Sequence, residues 1–143
     1  MVEIYSACES REISEEFLGE LQRGWSAAFQ LLRGIGVGKI TTLEGMEITL
    51  LDDAEMARLH GEFLNDATTT DVITFEHGEL LIGVEVAARQ AGEFGSLADR
   101  EIALYGIHGM LHLAGFDDRS STDAKEMAVR QEEVLSECFP LRS

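Results

Sequence analysis

The sequence has few of the residues that mark secreted, fibrous or membrane proteins. It contains one proline and two cysteines, Cys8 and Cys138, with no CxxC pair, so neither a disulfide framework nor a cysteine zinc site is predicted. No apolar run approaches the roughly 18–20 residues needed to cross a bilayer. The first residues are acidic and lack the apolar stretch of a signal peptide. We therefore expect a cytoplasmic protein without a membrane segment.

Basic side chains are also scarce. The chain has 11 lysines and arginines against 27 aspartates and glutamates, a net charge of −16 at pH 7. Proteins bind nucleic acid non-specifically through lysine and arginine, which displace condensed counterions. This composition therefore argues against tight binding of long RNA by the protein alone. The hydrophobic share of 45% in 143 residues suits one globular domain, which we place at residues 1–143.

The hydrophobic patterns predict an α+β fold, with a small mixed β-sheet of about four strands and about five helices. Predicted strands lie at residues 2–6, 71–75 and 79–82, and residues 40–43 and 46–51 form a hairpin or two strands. Predicted helices lie at residues 14–32 (stopped by Gly34), 53–64, 84–94, 96–114 and 121–138. Residues 65–70 are predicted to form a polar loop.

The fourth predicted helix is the most informative segment. Ser96 begins an approximate capping box, and Gly115 suits the position just after a helix C-terminus, so one helix of about five turns is predicted. Residues 102–114 are apolar nearly all the way round, which is typical of a buried helix. The two clear exceptions are His108 and His112.

These two histidines predict a metal site. Residues four apart on a helix leave the same face, so both imidazoles can bind one ion. Unpaired, each would leave buried polar nitrogens unsatisfied, at a cost of roughly 1–3 kcal/mol. Asp117 and Asp118 follow the turn at Gly115. The spacing HxxxHxxGxxD favours a metal site with Asp118 as third ligand over a pair of core histidines whose hydrogen bonds are satisfied within the protein. Three ligands and an open position are typical of catalytic zinc.

The residue after the first histidine separates this pattern from one large class of zinc enzymes. Zinc proteases of the HExxH type carry their general base at that position. This chain has Gly109 there. Peptide hydrolysis by that mechanism is therefore disfavoured.

Residues 108–118, HGMLHLAGFDD, resemble the HGxLHLxGxDH signature of the YbeY family, bacterial metal-dependent endoribonucleases of ribosomal RNA maturation. Residues 70–75, TDVITF, are similar to that family's TDVLSF strand. Glu101, Met127 and Glu133 also fit the family. The resemblance runs from about Met46 to Cys138.

The resemblance implies a zinc-dependent endoribonuclease in ribosomal RNA processing and ribosome biogenesis, with one zinc ion beside a cleft. His108, His112 and Asp118 would hold the ion. Asp117 is the competing ligand, a residue that orients a histidine, or a candidate general base. The expected partners are ribosomal RNA and, because the chain is so acidic, a ribosome-associated protein.

Two positions depart from the family pattern. The third ligand is usually histidine, where this chain has Asp118, and an arginine usual in the family aligns with Leu64. Arg58, Arg89 and Arg100 are either substitutes for that arginine or ordinary surface residues. Two other functions therefore stay open. One is a zinc hydrolase of another substrate, and the other is a ribosome-assembly protein with a structural zinc and little catalysis.

Overall fold

A computed structural model describes residues 1–8, 13–64, 71–94 and 97–139, with backbone alone for residues 63, 64 and 94. Its strands are β1 (Val2–Ala7), β2 (Met46–Leu51), β3 (Val72–Phe75) and β4 (Glu79–Gly83). Its helices are α1 (Glu15–Ile35), α2 (Asp53–Leu64), α3 (Val84–Phe94), α4 (Ala98–Leu113) and α5 (Ser121–Cys138), with a 3₁₀ helix at Lys39–Thr42. None of these helices is long and apolar enough to cross a bilayer. The predicted α+β domain with a mixed sheet is confirmed.

The four strands form one sheet in the order β1-β2-β4-β3. β2 runs parallel to β1 and to β4, whereas β3 pairs antiparallel with β4 at the edge of the sheet. A parallel pair needs a crossover connection, and α1 supplies it between β1 and β2. The antiparallel β3 needs only the short turn before β4.

Helix α4 lies at the centre of the fold. It packs against β3 and β4 and is contacted by α1, α3 and α5. Its buried residues include Ile107 and Met110, both fully inaccessible. The indole N–H of Trp25, on α1, donates a hydrogen bond to the carbonyl of Ala103 at 3.1 Å. The predicted buried helix is therefore confirmed, and it fixes the position of every side chain that it carries.

The predicted strand at residues 40–43 is wrong. Lys39–Thr42 forms a 3₁₀ helix in which the hydroxyl of Thr41 donates to the carbonyl of Gly38 at 2.9 Å. The hydroxyl of Thr42 donates to Lys39 at 2.8 Å. β-Branched residues favour strands, but here local side-chain bonds support a turn. The hairpin is wrong as well, because both neighbours of β2 run parallel to it.

Two helices begin or end at residues other than those predicted. Helix α1 passes through Gly34 and ends at Ile35, followed by the capping residue Gly36, whose φ of +76° suits glycine. Helix α4 begins at Ala98, with Leu97 as an N-cap that makes no side-chain bond. Ser96, the start of the predicted capping box, and the predicted loop 65–70 lie outside the described residues.

Candidate metal centre

The two histidines of α4 are the least buried residues in its second half. Residues 102–113 are otherwise buried, whereas the side chains of His108 and His112 are 22% and 31% exposed. Both face the same way, with ring centroids 4.6 Å apart and planes at 78°. Their Nε2 atoms are 3.0 Å apart. The helix thus presents two imidazole nitrogens side by side at the edge of the core.

A helix-ending motif brings the third candidate ligand back to these nitrogens. The N–H of Gly115 donates a hydrogen bond to the carbonyl of His112 at 3.1 Å, and the N–H of Phe116 donates to the carbonyl of Leu111 at 3.0 Å. These are the two hydrogen bonds of a Schellman motif. Gly115 has the positive φ, +95°, that this motif requires. The chain reverses there, and Asp118 follows three residues later.

Asp118 completes a three-atom cluster. Its Oδ2 lies 3.6 Å from Nε2 of His108 and 3.9 Å from Nε2 of His112. Zinc bonds of about 2.0–2.2 Å at tetrahedral angles put ligand atoms roughly 3.3–3.5 Å apart. Two nitrogens and a carboxylate oxygen at these separations fit one divalent ion, and the cluster could bind a metal.

Asp117 is engaged within the turn. Its Oδ1 accepts the backbone N–H groups of Asp118 and Arg119 at 2.7 and 3.2 Å, and its Oδ2 pairs with Nε of Arg119 at 3.2 Å. Such a bond from an aspartate to the backbone two residues on is an Asx turn. Asp118, rather than Asp117, is the carboxylate that the structure brings to the two histidines.

Gln131 on α5 is a residue that the sequence reasoning missed. Its Oε1 lies 2.5 Å from Nδ1 of His108. An amide oxygen only accepts hydrogen bonds, so Nδ1 carries the proton and Nε2 keeps its lone pair for an ion. A signal was available, because Gln131 lies four residues after Met127 and four before Leu135, both buried. A polar residue on the helix face that carries Met127 and Leu135 points into the protein.

Gly109 leaves no room for a side chain. A Cβ there would lie 2.7 Å from Cδ2 of Leu80 on β4 and 3.1 Å from Oγ1 of Thr74 on β3. Position 109 therefore faces the sheet and not the two histidines. A glutamate could not act from this position, which is the structural reason why an HExxH mechanism does not apply.

The three arginines considered as substitutes for the family arginine are paired with carboxylates. The partners are Glu55 and Glu62 for Arg58, Asp53 for Arg89, and Glu132 for Arg100. None of these pairs involves His108, His112 or Asp118. The side chain of Leu64 lies outside the described part of the chain.

Comparisons with known proteins match nearly the whole chain. The sequence model of the family described as Endoribonuclease YbeY matches residues 7–138. A relative named Endoribonuclease YbeY from Moorella thermoacetica is 31% identical, over 87% of this chain and 88% of its own length. Another of that name from Nautilia profundicola is 36% identical over 67% of this chain and 73% of its own.

A solved structure has the same fold. The solution structure of TM1509 from Thermotoga maritima superimposes with a TM-score of 0.70 at 24% identity, covering 98% of this chain and 90% of that one. At this identity the likeness supports the fold alone. The α+β architecture of this chain is therefore shared with a protein whose structure was solved in solution.

Proposed function

Because the chain belongs to the Endoribonuclease YbeY family, we propose that it is a zinc-dependent endoribonuclease that hydrolyses phosphodiester bonds in RNA. The observation that carries the proposal is the cluster of His108, His112 and Asp118, with ligand atoms within 4.8 Å of one another. A buried helix and a hydrogen-bonded turn hold these atoms beside an open cleft. Such a centre is suited to hydrolysis.

We propose one zinc ion at this cluster. Two imidazole nitrogens and one carboxylate oxygen are ligands that zinc accepts, and three protein ligands leave a position for substrate or water. When bound, the ion supplies positive charge to a phosphate and activates a water molecule for attack. His108, His112 and Asp118 bind it, and Gln131 keeps His108 in the tautomer that the ion needs.

For Asp117 the contacts favour a positioning role over that of general base. Both of its oxygens are already bonded, one to two backbone N–H groups and the other to Arg119. Proton transfer would require the carboxylate to leave the turn that holds Asp118. We therefore assign Asp117 to fixing the ligand Asp118 and the neighbouring arginine.

We further propose that the substrate is ribosomal RNA and that a ribosome-associated protein assists binding. The resemblance of the sequence to a family acting in ribosomal RNA maturation supports the substrate. The net charge of −16 supports the partner, because such a surface gives little of the electrostatic affinity by which proteins hold long RNA. A partner on the ribosome would supply that affinity.

Cleavage of precursor ribosomal RNA by purified, zinc-loaded protein tests the proposal. His112→Ala removes a ligand, and His77→Ala is the matched control, because His77 is 69% exposed and contacts Phe75 and Glu79 instead of the cluster. We expect the wild-type protein and His77→Ala to cleave and bind about one equivalent of zinc. His112→Ala should do neither.

Three results would contradict the proposal. Equal cleavage by His112→Ala would indicate a contaminating nuclease. Zinc binding without cleavage of any RNA would favour an assembly protein with structural zinc. Zinc-dependent hydrolysis of an ester that is not RNA, with RNA left intact, would favour a hydrolase of another substrate.

A further inference from the structure

A cleft of about 550 Å³ adjoins His112. Its size lies within the roughly 300–1,000 Å³ of small-molecule sites. Three elements besides α4 wall it, namely the 3₁₀ helix, the end of β3 and the turn after α4. The polar side chains among its walls are Lys39, Thr74, Glu76 and Arg119.

Lys39 is held at this cleft by a close backbone contact. Gly38 precedes it with φ +79° and ψ −176°, a conformation open essentially to glycine alone. A Cβ on Gly38 would lie 2.5 Å from the carbonyl oxygen of Leu113, at the end of α4. The 3₁₀ helix therefore sits directly against the helix that carries the histidines, and Lys39 is its first residue.

The ammonium group of Lys39 has no carboxylate partner among the described residues. Within residues 1–8, 13–64, 71–94 and 97–139, Lys39 forms no ion pair, and Arg119 pairs with Asp117 through Nε at 3.2 Å. In the same ranges Arg58, Arg89, Arg100 and Arg130 are bound to carboxylates. Arg23, Arg33 and Lys125 form no ion pair either, but none of them lines the cleft. A protein of charge −16 thus places a lysine and an arginine beside its candidate metal centre, against one carboxylate, Glu76, in the same cleft.

The geometry points to a phosphate subsite in this cleft, where Lys39 and Arg119 bind a backbone phosphate of RNA next to the bond held at the cluster of His108, His112 and Asp118. The inference rests on the proposed function and deepens it. A lysine ammonium is a compact point charge for phosphate, and the Nη groups of Arg119 add further donors beyond the Nε that Asp117 occupies.

The two lysines of the chain provide a matched test. Lys39→Glu and Lys125→Glu change the net charge equally, but Lys125 is exposed on α5 and does not line the cleft. Binding of a labelled 2′-O-methyl RNA hexamer to the zinc-loaded protein is measured by fluorescence anisotropy over a range of salt, with the RNA checked for integrity by gel. We expect Lys39→Glu to weaken binding about tenfold and to reduce the salt slope by about 0.7, the loss of one phosphate contact. Lys125→Glu should stay within about twofold of wild type.

Two further variants separate a contact from a change in structure. Lys39→Arg keeps the charge and should retain binding, and Arg119→Gln should weaken binding more than Arg23→Gln, a variant of an exposed α1 residue. Zinc affinity, measured with a competing chelator, should be the same for Lys39→Glu and wild type. A loss of zinc together with RNA would overturn the subsite, because the effect would then come from the metal centre.

The outcomes distinguish this inference from the proposed function. If wild type cleaves RNA but Lys39→Glu and Lys125→Glu bind the hexamer equally, the subsite is overturned and the nuclease stands. If wild type does not bind the hexamer, the subsite is overturned as well, and cleavage of precursor RNA decides the function by itself.

Discussion

Replacing Gln131 with leucine removes the acceptor that holds His108. The amide Oε1 lies 2.5 Å from Nδ1 of His108, and this bond leaves Nε2 facing the corresponding atom of His112. Leucine is similar in volume but cannot accept a hydrogen bond. The imidazole would then be free to rotate and to carry its proton on either nitrogen. The metal would have to bind a ring that is no longer prepared for it.

The expected magnitude follows from the number of ligands affected. One of three protein ligands loses its orienting partner, and loss of such a partner costs about 10–100-fold in metal affinity. This corresponds to roughly 1.4–2.8 kcal/mol of binding free energy. Gln131→Glu keeps an acceptor at the same position, so zinc affinity should stay at or above that of wild type.

Zinc affinity is measured by competition with a chromogenic chelator. Gln30→Leu is the control, because Gln30 is exposed on α1 and far from the cluster in the chain. If Gln131→Leu and Gln30→Leu bound zinc with equal affinity while His112→Ala lost it, the orienting role of Gln131 would be refuted. If Gln131→Glu failed as badly as Gln131→Leu, acceptance of the Nδ1 proton would not be the reason for the loss.

Three more predictions concern stability and chemistry. Gly106→Ala should lower stability by about 1–3 kcal/mol, because its Cβ would lie 2.3 Å from the buried indole of α1. Gly34→Ala should raise stability by about 0.5–1 kcal/mol, because a Cβ at this position meets open space. Thermal unfolding measures the stability of both variants, and equal shifts of the unfolding temperature would contradict the two predictions. Burial raises the pKa of the Cys138 thiol, so less of it is thiolate at pH 8. In a Cys8→Ser protein, iodoacetamide should therefore label the folded state more slowly than the unfolded one, and equal rates would oppose this. Zinc should raise the unfolding temperature of chelator-treated wild type by mass action but not that of His112→Ala, and an equal rise in both would place the ion elsewhere.

The clustering of the three candidate metal ligands could be predicted because its geometry is local. His108, His112 and Asp118 lie within eleven residues, and a helix followed by a glycine-ended turn determines most of their relative positions. No long-range contact is needed to bring the three together. For the same reason the buried α4 could be predicted, since its apolar residues surround it on all sides.

Long-range packing produced what could not be predicted. Gln131 meets His108 across 23 residues because α5 packs on α4. Local pattern shows that Gln131 points inward but not which side chain it meets. The β-branched residues Ile40, Thr41 and Thr42 favour a strand, whereas the chain forms a 3₁₀ helix at Lys39–Thr42. Its position depends on Gly38 packing against the end of α4, a contact that no sequence period encodes.

Net charge is a property of the whole chain, whereas binding depends on the charges near the site. At physiological salt, exposed charges more than about 8 Å apart are largely screened from one another. Exposed acidic residues of α5 such as Glu126 and Glu137 do not line the cleft, so they contribute to repulsion of a long RNA without contacting a phosphate in the cleft. Lys39, unpaired among the described residues, acts within that short range. An acidic protein can therefore bind long RNA weakly and still bind one phosphate specifically. The comparison of Lys39→Glu with Lys125→Glu separates these two effects at constant net charge.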